Sequence, residues 1–167
     1  MLESLRVGTG YDVHAFSKEP KPLWVGGVEI DPEHGLAGHS DADVLIHAIV
    51  DAILGALNHG DIGQHFPSGD ERWKGASSVD FLVWTRDEMR KMGASLINID
   101  SVVIAQTPKM KPHISSIRRK LAETLGLAAS HVSVKATTTD HLGFTGRKEG
   151  IAAQAVCLLT VPGVKKS

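Results

Sequence analysis

The chain has 167 residues and a formal net charge of -1, with 18 Lys and Arg against 19 Asp and Glu. That balance gives no overall attraction to nucleic acid or to a membrane surface, and the length suits one domain with its own core. The one cysteine, Cys157, excludes an internal disulfide and any CxxC motif, and no N-terminal apolar segment resembles a signal peptide, so a soluble, cytoplasmic protein is expected.

Leu5 to Tyr11 read as a strand, with Gly8 and Gly10 marking places where a backbone or a ligand can approach closely. Asp12 and His14 stand at its end; two apart in extended chain, they point to the same side. A charged, proline-bearing loop over Lys18 to Lys21 leads to a short hairpin, Leu23–Val25, Gly26-Gly27 and Val28–Ile30. The loop Pro32 to Gly38 then enters the stretch that organises the chain, Ala37 to Leu57. Ser40 and Asp41 suit its N-cap, and Leu45, Ala48, Ile49, Ala52, Ile53 and Ala56 take the spacing of a buried helix face. Ile46, Val50 and Leu54 add a second apolar row, leaving the polar stripe Asp43, His47 and Asp51. A helix apolar nearly all round is buried, so this stripe requires polar partners or an ion. The helix is expected to end near Asn58 to Gly60, before a turn-rich, mobile segment from Asp61 to Asp70.

A second helix is expected from Ser77 or Ser78 to Met92, with Gly93 as its stop. Leu96 to Gln106 reads as a strand and Thr107 to Pro112 as a stiff basic loop. Pro112 opens a third helix that turns Ile114, Ile117, Leu121 and Leu125 inward and stops at Gly126. Val132 to Ala136 is a short strand and Gly143 to Gly150 a loop. Ile151 to Val161 is a long strand, apolar on both faces and therefore central or covered by a neighbour. The sum is one domain over residues 1–161 with a disordered tail at 162–167. Its expected class is an α+β two-layer sandwich, a mixed β-sheet with three main helices packed on one face.

Three constellations carry chemistry. Asp12, His14 and His47 supply a carboxylate and two imidazoles, a set that suits catalytic zinc and leaves a fourth position open. From spacing alone the commoner reading is Asp12 hydrogen-bonded to His14 beside a satisfied core histidine. His39-Ser40-Asp41-Ala42-Asp43 is a helix start that either caps itself or holds phosphate oxygens. Lys135 to Asp140, with Gly143 to Arg147 close behind, suits a phosphate held with a hard cation, or an ordinary turn after a threonine-bearing strand. Lys109 and Lys111 add positive charge.

These residues carry a resemblance. The blocks Gly10 to Phe16, Gly26-Gly27-Val28, His39 to Asp43, Gly60 to Gly63, Phe66-Pro67, Ala105 to Met110, Lys135 to Thr139 and Leu142 to Arg147 follow one another over nearly the whole chain. Together they make the chain similar to the 2-C-methyl-D-erythritol 2,4-cyclodiphosphate synthases of the non-mevalonate isoprenoid route. The resemblance implies a lyase that cyclises 4-diphosphocytidyl-2-C-methyl-D-erythritol 2-phosphate and releases CMP. It implies zinc on Asp12, His14 and His47, and transition-state stabilisation by His39 and Thr138. Ser40 would help hold phosphate. Asp61, Ile62, Gly63, Phe66, Pro67, Ser68, Gly69 and Asp70 would cover the methylerythritol part. Ala105, Gln106, Thr107, Pro108, Lys109, Met110 and Lys111 would bind the cytidine end, with Thr137 and Thr139 nearby and Phe144 and Arg147 as further contacts.

Two departures from the family pattern stand out. Asp140 replaces the usual glutamate, a ligand of a magnesium or manganese ion on the phosphates, and Ala42 replaces a commoner glycine, a change expected to be tolerated. The resemblance also implies a homotrimer with sites between subunits and an apolar channel on its axis. Some relatives carry a fused cytidylyltransferase domain, for which 167 residues leave no room. Two other readings stay open from the residues: a zinc phosphohydrolase using Asp61 or His39 as base, and a trimeric binding protein with structural zinc.

Overall fold

The computed structural model describes residues 3–163. Four strands form a mixed sheet in the order β1 (Glu3–Ala15), β6 (Gly150–Pro162), β4 (Ser95–Ile104) and β5 (Val132–Thr137). β6 runs antiparallel to both β1 and β4, while β4 and β5 are parallel. The C-terminal ends of β1, β4 and β5 therefore share one edge of the sheet, and the candidate site residues gather there. β2 (Leu23–Val25) and β3 (Val28–Asp31) form the separate hairpin read from the sequence, turned by Gly26-Gly27.

Registers show why the sheet has one buried face. Gly8, Cys157, Ile99 and Val132 stand in one row across the four strands, and Gly10, Ala155, Ser101 and Val134 in the next; every one of them is buried. On this face α1 (Val44–Leu57) lies along β1 and β6, and α4 (Ile114–Leu125) against β5. α3 (Ser78–Lys91) packs on α1 and α4. Burial pushes the Cys157 thiol up to about 11, which makes it a core residue with little thiolate.

The two glycines of β1 set the contact with α1. A Cβ on Gly8 would lie 1.8 Å from the Ala52 carbonyl oxygen, and one on Gly10 would lie 1.9 Å from that of Ala48. Helix backbone thus fills the space that the sequence marks for a close approach.

Several boundaries differ from expectation. β1 extends through Asp12 and His14 to Ala15, paired with β6 throughout. α1 begins at Val44 with Asp43 as its N-cap, because the Asp43 carboxylate accepts the Ile46 N–H at 3.0 Å. Ser40 and Asp41 have other partners. The turn-rich segment contains a helical turn, α2 (Ile62–His65), capped by Asp61, and the loop after β5 contains another, α5 (Gly143–Gly146). β6 includes Pro162, so the expected tail does not begin there, and residues 164–167 lie outside the described chain.

The opposite sheet face holds a feature missed in the sequence. β6 is central, as its two apolar faces require, but β1 at the edge also exposes Leu5, Val7, Tyr11 and Val13 on this side. With Val156 they form an open apolar face. No helix of the described residues is long and apolar enough to cross a membrane.

Candidate metal centre and active site

β1 and α1 bring Asp12, His14 and His47 together. Asp12 Oδ2 lies 2.9 Å from His14 Nε2 and 3.1 Å from His47 Nδ1, and the two ring nitrogens are 3.1 Å apart. Three potential donor atoms thus form one small triangle, the cluster of this kind among the described residues. Asp12 and His14 reach it because they share the face of β1 that looks at α1, and His47 because it sits in the first turn of that helix.

The outer nitrogens determine which atoms face the triangle with a lone pair. His14 Nδ1 lies 3.0 Å from the Ala37 carbonyl, an acceptor only, so that nitrogen donates and Nε2 is left bare. His47 Nε2 lies 2.9 Å from Ser78 Oγ, whose own hydrogen goes to the Asp41 carboxylate; Nε2 therefore donates and Nδ1 is bare. Two imidazole lone pairs and a carboxylate converge without a proton of their own, an arrangement that a divalent cation satisfies. The residues fit a metal.

Without metal, a proton takes part of that role. Burial alone would raise the Asp12 pKa, but hydrogen bonds and charge attraction from His14 and His47 outweigh it and hold the carboxyl well below its usual range. Burial alone would lower that of His14, yet the Asp12 carboxylate raises it above its ordinary value.

The polar stripe on α1 finds its partners. Asp43, fully buried, accepts the N–H groups of Gly26 at 2.9 Å and Gly27 at 2.7 Å besides that of Ile46, locking the hairpin to the helix start. Its pKa is raised, burial outweighing these three donors. Asp51 accepts the Ile62 N–H at 2.7 Å and so ties α2 to α1 one turn beyond His47.

Beside the triangle is a cavity of about 220 Å³ whose lining includes Asp12, His14, His47, His39, Ser40, Ile62, Gly63, Phe66 and Ser68. Phe81 lines it too and stacks on Phe66 with centroids 4.3 Å apart. Phe66 also meets Trp73 and Trp84 edge-on, so an aromatic cluster supports α2 over the cavity. His39 donates from Nε2 to the Asp70 carbonyl at 2.9 Å, pinning the far end of this cover. Asp61 and Asp70 serve as caps of its two short turns, and Pro67 and Gly69 are exposed in the bend between them.

A second cavity of about 380 Å³ is lined by Ala105, Gln106, Pro108, Lys109, Met110, Lys111, Ala136, Thr137 and Thr138. Thr107 and Pro108 border a third on the other side of that loop. Thr138 donates its hydroxyl to Asp140 at 3.1 Å, while the Thr139 hydroxyl turns inward to the Leu142 carbonyl at 2.6 Å. Asp140 has φ of +50°, Phe144 is partly exposed, and Arg147 pairs with Glu149 at 2.8 Å. The triangle's cavity and this second one share no lining residue among the described residues. The structure thus divides the expected site into two halves.

Sequence reading missed Asp41 standing behind Ser78, Ser78 as the partner of His47, and Phe81 as cavity wall. The signal for the last two was the spacing Ser78, Phe81, Leu82, Thr85 and Met89, the buried face of α3.

A mixed sheet backed by helices, with a three-donor metal triangle opening on a cavity at its edge, defines a metal-dependent enzyme of α+β fold. The chain belongs to the YgbB family, whose family model matches residues 5–160. It is 55% identical over 155 residues to the 2-C-methyl-D-erythritol 2,4-cyclodiphosphate synthase of Marinobacter nauticus, covering 93% of this chain and 97% of that one. It is 54% identical over 156 residues to the bifunctional enzyme IspD/IspF of Sphingopyxis alaskensis, of which it spans 40% while 93% of this chain is covered. Among solved structures, the bifunctional IspDF from Campylobacter jejuni is 45% identical with a TM-score of 0.92, over 96% of this chain and 43% of that one. The Plasmodium falciparum IspF in complex with CDP is 34% identical with a TM-score of 0.83, over 98% of this chain and all of that one (100%).

Proposed function

We propose that the chain is a phosphorus-oxygen lyase that converts 4-diphosphocytidyl-2-C-methyl-D-erythritol 2-phosphate into 2-C-methyl-D-erythritol 2,4-cyclodiphosphate and CMP, in isoprenoid precursor synthesis. The observation that carries this reading is the Asp12–His14–His47 triangle opening on a cavity lined by His39 and Ser40, in a chain of this family. An oxygen of the substrate's own 2-phosphate bonds to the β-phosphorus, and the bond from that phosphorus to the bridging oxygen breaks. CMP leaves with the bridging oxygen, and no water is consumed. Such a reaction needs positioning and charge neutralisation rather than an enzyme nucleophile.

Asp12, His14 and His47 would hold zinc, or another divalent cation, which supplies charge neutralisation and alignment of the diphosphate. The three-membered donor set supports a catalytic over a structural metal, since structural zinc takes four protein ligands. His39 and Thr138 stabilise charge in the transition state and Ser40 holds phosphate. Asp61, Ile62, Gly63 and the segment from Phe66 to Asp70 exclude water above the methylerythritol part. Ala105 to Lys111 take the cytidine end, with Thr137, Thr139, Phe144 and Arg147 as further contacts. Asp140 would be a ligand of a magnesium or manganese ion that neutralises charge on the diphosphate.

The chain works as a single domain over residues 1–161, assembled as a cytoplasmic homotrimer whose sites lie between subunits and whose axis is an apolar channel. Two observations support this. The open face bearing Leu5, Val7, Tyr11, Val13 and Val156 is suited to association, and the two cavities are separate within one chain. The test is phosphorus NMR of products from the diphosphocytidyl substrate with magnesium. Cyclic diphosphate and CMP, lost on chelation and restored by zinc, are expected. A linear diphosphate product would replace this reading with hydrolysis.

A further inference from the structure

We propose that Asp41 and Ser78 are positioning residues of the metal centre, a relay that fixes which nitrogen of His47 faces the metal. The relay is built from three elements. His47 comes from α1, Ser78 from the first turn of α3, and Asp41 from the loop before α1.

Each link leaves one direction for the proton. The Asp41 carboxylate accepts three donors: the Asp43 N–H at 3.1 Å, the Ser78 N–H at 2.9 Å, and the Ser78 hydroxyl. Ser78 Oγ has a single hydrogen, which goes to Asp41, so toward His47 it can only accept. It accepts from His47 Nε2 at 2.9 Å. Ser40 Oγ stands 3.4 Å from the same nitrogen and already accepts the Ala42 N–H at 3.2 Å, so it competes poorly. His47 thereby holds its hydrogen on Nε2 and presents Nδ1 to Asp12 and His14. Ser78 is fully buried and His47 nearly so, which shields this link from bulk solvent.

The consequence is selective. Loss of Ser78 Oγ removes the short acceptor of the Nε2 hydrogen and leaves Asp12 Oδ2, 3.1 Å from Nδ1, to draw it to the other nitrogen, so His47 then divides between two tautomers. One of them points an N–H at the metal position and cannot bind. A carboxylate behind the hydroxyl also raises the basicity of the ring, as outer partners of metal-bound histidines generally do, and their loss costs roughly 10–100-fold in metal affinity. Asp41 and Ser78 touch neither substrate nor metal. Their effect passes through His47 alone.

The proposal rests on the metal reading of the triangle, and the test separates the two. Zinc is titrated into the wild-type chain against a chromophoric chelator, then into Ser78→Ala, Asp41→Asn and Ser77→Ala. Ser77 caps the same end of α3 through the Val79 N–H but has no part in the relay. Nitrogen-15 NMR of the zinc-loaded wild-type protein reads the ring directly. Expected are zinc on His47 Nδ1 with a slowly exchanging hydrogen on Nε2, roughly 10–100-fold weaker zinc binding in Ser78→Ala and Asp41→Asn, and unchanged binding in Ser77→Ala. Failure of the wild-type chain to take zinc would overturn the metal itself. Zinc uptake with coordination through Nε2, or with equal loss in Ser77→Ala and Ser78→Ala, would overturn the relay and leave the metal standing. Where a variant does not fold, the wild-type spectrum still tests the relay, since coordination through Nε2 or a rapidly exchanging Nε2 hydrogen would overturn it.

Discussion

Gly10 of β1 lies so close to Ala48 of α1 that a methyl group on it would sit 1.9 Å from the Ala48 carbonyl oxygen. Asp12 follows Gly10 by two residues, and His47 precedes Ala48 by one. The contact therefore sets the gap between the two halves of the metal triangle.

Gly10→Ala forces the helix off the strand, because the atom in the way is backbone and cannot rotate aside. The expected cost is at least about 3 kcal/mol, at or above the upper end for overpacking. Zinc uptake should fall with it, since a shift of even 1 Å separates His47 Nδ1 from Asp12. Denaturant midpoints and zinc titration check both; full metal affinity in the variant would show that the gap is set elsewhere.

The pH dependence of metal binding has a definite sign. The His14 pKa is raised by Asp12 and the Asp12 pKa is lowered by His14 and His47. In the metal-free protein the His14 contribution to stability is complete below its ordinary value of 6.5 and is lost as pH rises through the raised one. The Asp12 contribution is present above its ordinary 3.8 and is lost as pH falls through the lowered one. Metal needs the bare Nε2 of His14, so it competes with this proton. Zinc affinity should climb as pH passes upward through the His14 titration, while metal-free stability from the pair declines over the same range. Zinc titrations between about pH 5.5 and 8 test this, and a flat profile would contradict it.

Asp51→Ala should loosen the cover over the cavity. It removes the acceptor of the Ile62 N–H, a partly buried bond worth about 1 kcal/mol. Amide exchange at residues 62–66 should quicken while that of the α1 core stays slow. Unchanged exchange at Ile62 would mean the aromatic cluster alone holds α2.

Ala42→Gly should stabilise the chain. Ala42 has φ of +58°, the left-handed region, where a side chain is strained and glycine is not. The exchange that the sequence comparison with the family marks as tolerable therefore has a cost: its reversal relieves about 1–2 kcal/mol of left-handed strain, less about 0.8 kcal/mol for the fully buried methyl it removes, so a small net gain is expected. A thermal melt measures it. The same turn explains why Asp41 and Asp43, two residues apart, serve different partners: one accepts from Ser78 and the other caps α1.

Much of the fold was legible because periodicity reports burial. The apolar rows of α1, the hairpin at Gly26-Gly27 and the two-faced β6 all follow from spacing. The Asp12–His14 pair was legible because residues two apart on a strand share a face, and His47 because a buried helix cannot leave an imidazole unpartnered. The N-cap was not, since Ser40, Asp41 and Asp43 all have the chemistry to cap. Only the position of the Ile46 N–H selects Asp43. Ser78 was hidden for a different reason: it reads as an ordinary helix start, and its role exists only where α3 meets α1. The exposed side of β1 was missed because Gly8, Gly10 and Thr9 dilute the alternation of Leu5, Val7, Tyr11 and Val13.

That alternation ties two properties of the chain to one count. Even-numbered residues of β1 carry the glycines that admit α1 and the donors Asp12 and His14; odd-numbered ones form the apolar face proposed to meet other subunits. Inserting or deleting a single residue between Leu5 and His14 would reverse the facing of every β1 residue on one side of the change, turning ligands outward or apolar groups into the helix. A change of length in this strand would therefore strike the metal ligands and the apolar face together, whereas one in the exposed loop at residues 18–21 would touch neither.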